Sequence, residues 1–383
     1  MDKDRMKCLV QDSQAVSVRF PRIMIAAEKS GGGKTLFTCA LLSLLKERVQ
    51  AVRAFKCGPD YIDPMFHRAV LEIPSRNLDS FFADGDTLRY LLGRDVLEME
   101  KFPESRIAVL EGGFYDGLGG VSERSSAWEV ADLTETPVIL LVDMKGRSLS
   151  ALASIKGFLD YKEKSHVTGV VFNRLSPMLY PGLKERAERE LGIRVFGYVP
   201  ELKDLTLKSR HLGLVMPEEI LGIRERLDLI REKVRAGINL DGIIEEAGRA
   251  AEIEVKLPEA VRQFCNVDCG TGIKKTVVAV AKDEAFCFYY EDNLDLLKKL
   301  GAEIQYFSPI HDRNLPEGTC AVYLGGGYPE LHAKALSENI SMRNAIRQAV
   351  MEEMPCIAEC GGYLYLKDSI VDPDGVEWPM AGV

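Results

Sequence analysis

The chain has 383 residues, 46% of them apolar and 28% charged, the make-up of a globular protein with length for two or three domains. Its formal net charge of −9 argues against general nucleic-acid binding. No apolar run reaches the length of a membrane-spanning helix, and residues 1–19 are polar and mixed in charge, without the apolar core of a secretory leader. The nine cysteines show neither framework spacing nor a C-x-x-C pair, and the five histidines are scattered. Reduced thiols, a cytoplasmic location and no structural zinc are therefore expected.

Residues 1–18 read as a poorly ordered extension. Strands and helices alternate from Pro21 onward, as in a parallel α/β sheet. The apolar run Ile23-Met24-Ile25-Ala26-Ala27 reads as a strand, and the apolar-periodic residues 36–45 as a helix. Between them stands Glu28-Lys29-Ser30-Gly31-Gly32-Gly33-Lys34-Thr35. Glycines let backbone N–H groups close on a polyphosphate, and the new helix points its positive end at the same anion. Lys34 supplies a mobile charge and the Thr35 hydroxyl suits Mg2+. The usual phosphate loop has glycine where Glu28 stands; read from Lys29, the stretch approximates the K-G-G-x-G-K-T form of a deviant Walker loop, with Ser30 for its first glycine.

A strand over 49–55 leads to Lys56-Cys57-Gly58-Pro59-Asp60-Tyr61-Ile62-Asp63-Pro64, where Gly58, Pro59 and Pro64 predict a rigid loop rather than a helix. Asn77-Leu78-Asp79 reads as another loop, followed by a helix over 87–97. Further strands are expected over 107–110, ending at Glu111, over 137–142, ending at Asp143, over 167–172, ending at Asn173-Arg174, and over 195–200. Helices are expected over 148–161 and 180–191. Glu111, at a strand end opposite the phosphate loop, is a candidate Mg2+ ligand. Asp143 reads as a strand-end cap. Residues 19–219 thus form one doubly wound domain with its polar residues at the carboxyl ends of strands.

Residues 220–275 read as a charged helical connector and linker, and 276–383 as a second α/β domain. The latter has strands over 276–281, 303–307 and 321–324 and helices over 293–300 and 342–353. Cys360 follows a short apolar strand, with Gly361 and Gly362 behind it. A nucleophile on a sharp strand-to-helix turn tolerates only small neighbours, and a helix N-terminus favours its thiolate. The Gly325-Gly326-Gly327 turn can aim N–H groups at an oxyanion, with Gly361 a third donor. Cys356, within the strand, reads as a core thiol.

From about Pro21 to its last residue the chain resembles the cobyrinate a,c-diamide synthase family, which includes relatives acting on nickel sirohydrochlorin. The resemblance is carried by the phosphate loop, F-K-C-G-P-D-Y-I-D-P at 55–64, N-L-D at 77–79, G-V-V-F-N-R at 169–174, G-G-G-Y-P-E at 325–330 and A-E-C-G-G at 358–362. It implies an amidoligase domain similar to dethiobiotin synthetase, followed by a class I glutamine amidotransferase domain. It also implies MgATP, a corrinoid substrate whose two acetates become amides, and glutamine or ammonia as nitrogen donor. Neither nucleic acid nor membrane is an expected partner. On this resemblance Lys29, Ser30, Gly31, Gly32, Gly33, Lys34 and Thr35 hold ATP, and Asn173 reads adenine. Lys56, Asp60, Asp63 and Asp116 surround the reacting carboxylate, and Asp60 is a third candidate metal ligand. Tyr61, Asp63, Asn77, Asp79 and Tyr115 face the substrate, and Cys360 attacks glutamine. Similar proteins pair their ATP domains, which makes a homodimer an expectation.

Three departures stand out. The family carries Ser or Thr near Glu28 and Lys29; Lys29 then acts on ATP or points to solvent. Its segment after Glu111 reads E-G-x-x-G-x-x-D-G, two residues longer than here, which loosens the case for Asp116. All five histidines precede Cys360, whereas the family's general-base histidine lies downstream in an H-x-F-H-like segment. The second domain is therefore expected to be incomplete, and glutamine a poor donor. Three readings stay open: a synthase using cobalt or nickel tetrapyrroles, an ammonia-fed amidoligase with a vestigial Cys360, and a deviant-Walker ATPase switch using Lys29 across a dimer.

Overall fold

The computed structural model describes residues 15–97, 105–202, 217–259 and 276–383, and the chain divides into two units, Met1–Arg262 and Gln263–Val383. The expected linker over 265–275 and most of the expected extension lie outside the described residues, as do Cys8, His211, Cys265 and Cys269.

The strands of the first unit are β1 (Val16–Val18), β2 (Arg22–Ala27), β3 (Ala51–Cys57), β4 (Ser75–Leu78), β5 (Arg106–Gly113), β6 (Val138–Asp143), β7 (Val167–Asn173), β8 (Arg194–Val199) and β9 (Ile253–Val255). Seven of them form one sheet in the order β4-β3-β5-β2-β6-β7-β8, and every neighbouring pair is parallel. β2 lies at its centre with all six residues buried, which explains its unbroken apolar run. Alternate β2 side chains enter two cores. Met24 and Ala26 pack with Leu88, Leu92 and Ile155 on one face; Ile23 and Ile25 pack with Phe37, Leu41 and Leu44 on the other. Helices thus cover both faces, as the alternating pattern predicts.

Four local expectations are corrected. A helix, Ile62–Ala69, begins inside the segment expected to be loop. Pro64 is its third residue, in the first turn, where the N–H it lacks has no helical acceptor. Asn77 belongs to β4 rather than to a loop, because Ser75–Leu78 pairs with β3. Val16–Val18, inside the expected extension, is a strand paired antiparallel with β9, and Val18 is buried. The charged stretch after 216 packs into the first unit rather than bridging two: helix Pro217–Gly237 sets Leu227, Ile230 and Val234 against Phe37 and Leu41.

The second unit contains β10 (Thr276–Ala281), β11 (Phe286–Phe288), β12 (Ala302–Phe307), β13 (Thr319–Leu324), β14 (Gly326–Gly327), β15 (Cys356–Ala358), β16 (Ser369–Val371) and β17 (Glu377–Pro379). Its main sheet is parallel in the order β12-β10-β13-β15. The short antiparallel pairs β11-β14 and β16-β17 carry no alternation long enough to read in advance. Among the described residues no helix is long and apolar enough to cross a membrane.

Candidate active sites

The phosphate loop leaves the carboxyl end of β2, between β5 and β6, and opens helix Lys34–Lys46. Gly33 has φ +83°, and a Cβ there would stand 2.5 Å from Asn173 Nδ2. Glycine is thus required twice over, by backbone and by space. The first N–H groups of the helix have no intrahelical acceptor and suit an anion. Ser30, Gly31, Gly33, Lys34 and Thr35 line a cavity of about 770 Å3 together with Lys56, Asp60, Asp63, Asn173 and Arg174.

Behind the loop lies a buried charge cluster. Lys56 and Glu111 sit in register on β3 and β5, with Lys56 Nζ 3.4 Å from Glu111 Oε1 and 3.1 Å from Asp60 Oδ2. Lys56 also pairs directly with Asp63, and Lys34 Nζ lies 3.8 Å from Glu111. Burial alone would lower the Lys56 ammonium, but Glu111, Asp63 and Asp60 outweigh it and hold its pKa well above the usual lysine value. Burial and the neighbouring Glu111 raise the Asp63 carboxyl. For Glu111 burial acts upward, but Lys56 and Lys34 outweigh it and keep its pKa below the carboxylate norm.

The Thr35 hydroxyl lies 3.3 Å from both Glu111 Oε1 and Asp63 Oδ2. Glu111 is fully buried and its Oε2 has no hydrogen-bond partner. Glu111 Oε1 and Asp63 Oδ2, each within 3.3 Å of the Thr35 hydroxyl, form a hard-oxygen donor set that fits Mg2+. That ion binds through one or two carboxylates plus phosphates, so it needs no dense cage. No cluster of three His, Cys, Asp or Glu ligands gathers among the described residues.

The two charged loop residues each have a partner. Arg147 Nη1 donates to Glu28 Oε2 at 2.9 Å, and Lys29 Nζ lies 3.1 Å from Asp143 Oδ2. Asp143 is more than a cap: Arg174 Nε donates to its Oδ1 at 2.8 Å and Lys145 N at 3.1 Å. Burial pushes its pKa up, but Arg174 and these neighbours prevail and it is lowered. Neither Arg147 nor Arg174 was singled out from the sequence; the signal was the unmatched Glu28 and the arginine beside Asn173. Asn173 Nδ2 donates to Gly32 O at 2.8 Å, so this side chain holds the loop.

The remaining sequence candidates are spread more widely. Asn77 donates to the Gly58 and Asp60 carbonyls at 3.0 and 2.8 Å, and Asp79 Oδ1 accepts from Phe81 N at 3.0 Å. Both brace backbone, and neither lines the cavity of Lys34. Tyr61 is half-buried at the start of helix Ile62–Ala69. Tyr115 and Asp116 line a separate cavity, so Asp116 does not join Lys56, Asp60 and Asp63.

In the second unit, Cys360 is exposed at the turn between β15 and helix Gly361–Leu366, with φ +48° and ψ −108°. A non-glycine residue in that region is strained. The elbow is held from behind. Gly362 N donates to the Gly325 and Glu359 carbonyls at 2.9 and 2.8 Å, and a Cβ on Gly362 would stand 2.2 Å from Leu324 O. Glycine's need there is close approach. Gly326 packs so that its own Cβ would lie 3.5 Å from Cys360 Cβ, and a Gly361 Cβ would lie 3.2 Å from Gly327 N. Cys360, Gly326, Gly327 and Gly361 therefore converge, while Gly325 N donates instead to Tyr289 Oη at 2.8 Å. His311 Nε2 lies 3.0 Å from Glu284 Oε1, and that hydrogen bond raises its pKa. Cys356 is part-buried in β15, its thiol pKa raised by burial.

Residues 23–215 match the family described as the CobQ/CobB/MinD/ParA nucleotide binding domain, and 277–383 the CobB/CobQ-like glutamine amidotransferase domain. The cobyrinate a,c-diamide synthase of Thermoplasma volcanium is 37% identical over 96% of this chain and 77% of its own length. The synthase of Listeria innocua is 39% identical over 94% of this chain and 77% of its own, and that of Priestia megaterium 35% identical over 94% and 76%. With a nucleotide-binding domain, a glutamine amidotransferase domain and such identity along nearly its whole length, the chain belongs to the cobyrinate a,c-diamide synthase family.

Proposed function

We propose that the chain is a carbon–nitrogen ligase that amidates the a- and c-acetate carboxylates of cobyrinate, using MgATP and either glutamine or ammonia. The observation that carries this reading is the convergence of Lys34, Thr35, Lys56, Asp60 and Asp63 on one cavity at the end of the phosphate loop. A phosphoryl donor and a carboxylate acceptor both need cations there, and the cluster supplies two.

A carboxylate carbon is a poor electrophile, so it must first gain a leaving group. The loop amides and Lys34 hold the ATP phosphates, and Lys56 aligns the acetate. A carboxylate oxygen attacks the γ-phosphorus, the bridging bond breaks, and ADP leaves with the electron pair. Ammonia then adds to the acyl carbon and phosphate departs. The proton that ammonia sheds leaves with the departing phosphate, while Asp60, half-buried in the same cavity, holds Lys56 in place. Thr35 and Glu111, with Asp60 a further candidate, would hold Mg2+, which supplies charge neutralisation to the transferring phosphoryl group. Cys360 attacks the glutamine amide, the Gly326, Gly327 and Gly361 amides receive the oxyanion, and its collapse expels ammonia and leaves a glutamyl thioester that water cleaves to glutamate and the free thiol.

Lys29 is engaged by Asp143 of its own chain, which favours this reading over a switch that uses the lysine across a dimer. A cytoplasmic enzyme, paired through its ATP domains, completes the proposal. The test is amide formation on cobyrinate, followed by mass spectrometry, with MgATP and each nitrogen donor. Two successive ATP-dependent amidations are expected, lost in Lys34→Ala. Amidation of nickel sirohydrochlorin but not cobyrinate would move the assignment to that metal, and ATP turnover without any amide product would overturn it.

A further inference from the structure

Thr38 Oγ1, His67 Nε2 and Glu111 Oε2 are buried polar atoms without a hydrogen-bond partner among the described residues. The three residues are at most 1% exposed. Such atoms are few in a native interior, and leaving one unmade is costly. Helix periodicity brings these three together. Thr38 stands three residues beyond Thr35 on helix Lys34–Lys46, and His67 four beyond Asp63 on helix Ile62–Ala69. Residues at those spacings share a helix face. Thr35 already meets Glu111 Oε1 and Asp63 Oδ2, each at 3.3 Å. One turn further along, the same two faces carry Thr38 and His67 past the same carboxylate.

Their proximity also shows in the electrostatics. Beyond burial, Lys56 and Lys34, it is His67 and Thr38 that act on the Glu111 carboxyl, both holding its pKa down. Yet no hydrogen bond of good geometry joins Thr38 to Glu111. The other imidazole nitrogen decides what His67 offers. Its Nδ1 lies 3.2 Å from Ser75 Oγ, on the edge strand β4, with β3 between that strand and β5. Nε2 is therefore turned away from β4. In a neutral ring one nitrogen donates and the other accepts, so a Ser75 hydroxyl that donates to Nδ1 leaves the proton on Nε2. An N–H, a hydroxyl and a carboxylate oxygen, close together without direct bonds, are the set that one buried water serves with about three hydrogen bonds.

We propose that His67 is a positioning residue for the metal-binding carboxylate: through one buried water shared with Thr38, it holds Glu111 Oε2 so that Oε1 stays aimed at Thr35 and the Mg2+ site. The water accepts from His67 Nε2 and Thr38 Oγ1 and donates to Glu111 Oε2. This rests on the function proposed above, in which Thr35 and Glu111 hold Mg2+. Partners behind a ligating group fix its orientation, and their loss typically weakens metal binding by about ten- to hundredfold.

Thr38→Val removes the hydroxyl at constant shape, His67→Leu removes the N–H, and His67→Gln keeps an amide N–H within reach of the Nε2 position. Calorimetric titration with an ATP analogue carrying an imido β–γ bridge, in excess Mg2+ and in EDTA, separates metal binding from phosphate binding without turnover. The ratio of the two affinities should fall about tenfold in His67→Leu and severalfold in Thr38→Val, with the affinity in EDTA within twofold of wild type. In His67→Gln the ratio should return to within threefold of wild type. Nitrogen-15 NMR of histidine-labelled protein, with the His67 signals identified by their loss in His67→Gln, should place the proton on Nε2. A wild-type ratio in both His67→Leu and Thr38→Val would overturn the assignment, as would equal losses with and without Mg2+, no recovery in His67→Gln, or a proton on Nδ1. Mg2+-dependent binding that keeps the expected pattern while cobyrinate gains no amide would instead strike only the proposed reaction.

Discussion

Lys56 and Glu111 face each other across neighbouring parallel strands, their charged ends 3.4 Å apart and both side chains buried. Removing the cation leaves Glu111 and Asp63 opposed, with only Lys34, 3.8 Å from Glu111, to offset them. Breaking a buried pair from one side costs about 3–5 kcal/mol, and proton uptake by Asp63 should set the lower end of that range. Lys56→Met keeps most of the stem and removes the charge. We expect its urea midpoint to fall by the equivalent of that range and its amidation to vanish. A midpoint equal to wild type would show that the cluster is not under electrostatic tension.

Glu111→Gln is isosteric and leaves an amide where Oε2 now has no partner. If the Glu111 carboxylate faces Mg2+ or its water shell through Oε1, beside the Thr35 hydroxyl, the Mg2+ concentration for half-maximal activity should rise about tenfold or more, with the KM for cobyrinate little changed. The check is a Mg2+ titration at saturating ATP. A curve that overlays wild type would make Glu111 purely a partner for Lys56.

The parallel sheet was legible because its strands are buried on both faces, so 137–142 and 167–172 read as short, nearly continuous apolar runs. The phosphate loop and Cys360 elbow were legible because glycine spacing encodes backbone geometry directly. What the sequence hid were choices made by distant partners. Pro64 looked like a helix breaker because nothing local says that the helix starts two residues earlier. Asn77 and Asp79, given to the substrate by the family resemblance, also hold backbone groups, a role that the motif alone does not reveal. Val16–Val18 needed β9, more than 230 residues later, to become a strand.

His67 predicts a pH dependence. It is buried, with Nδ1 3.2 Å from Ser75 Oγ, and burial lowers its pKa from 6.5 to about 4, while Glu111 acts the other way. The unfolded histidine thus binds a proton that the folded one refuses between those values. Stability should be fully present above pH ~6.5 and fall as pH drops toward ~4, by about 1.4 kcal/mol per unit at the steepest. His67→Gln keeps a polar side chain and cannot titrate. Urea denaturation at several pH values should give it a shallower acid slope than wild type. Identical slopes would show that His67 already carries its proton when folded.

Cys360 combines a chemical and a conformational prediction. Its φ of +48° with ψ of −108° is a region that glycine enters freely and other residues enter at a cost of about 1–3 kcal/mol. The turn imposes this strain, since Gly362 is fastened to Gly325 on one side and Glu359 on the other. Cys360→Gly should therefore be more stable than Cys360→Ala by about 1–2 kcal/mol, although both remove the thiol and Gly is ordinarily the weaker choice at a helix start. In the amidation assay both variants should keep ammonia-supported turnover, because the phosphate loop lies in the other unit, and both should lose any glutamine-supported turnover that wild type has. Thermal melts of the two variants, run beside assays with each nitrogen donor, separate these effects. Equal melting of the glycine and alanine variants would remove the strain argument. Glutamine use that survives both substitutions would remove Cys360 as the nucleophile.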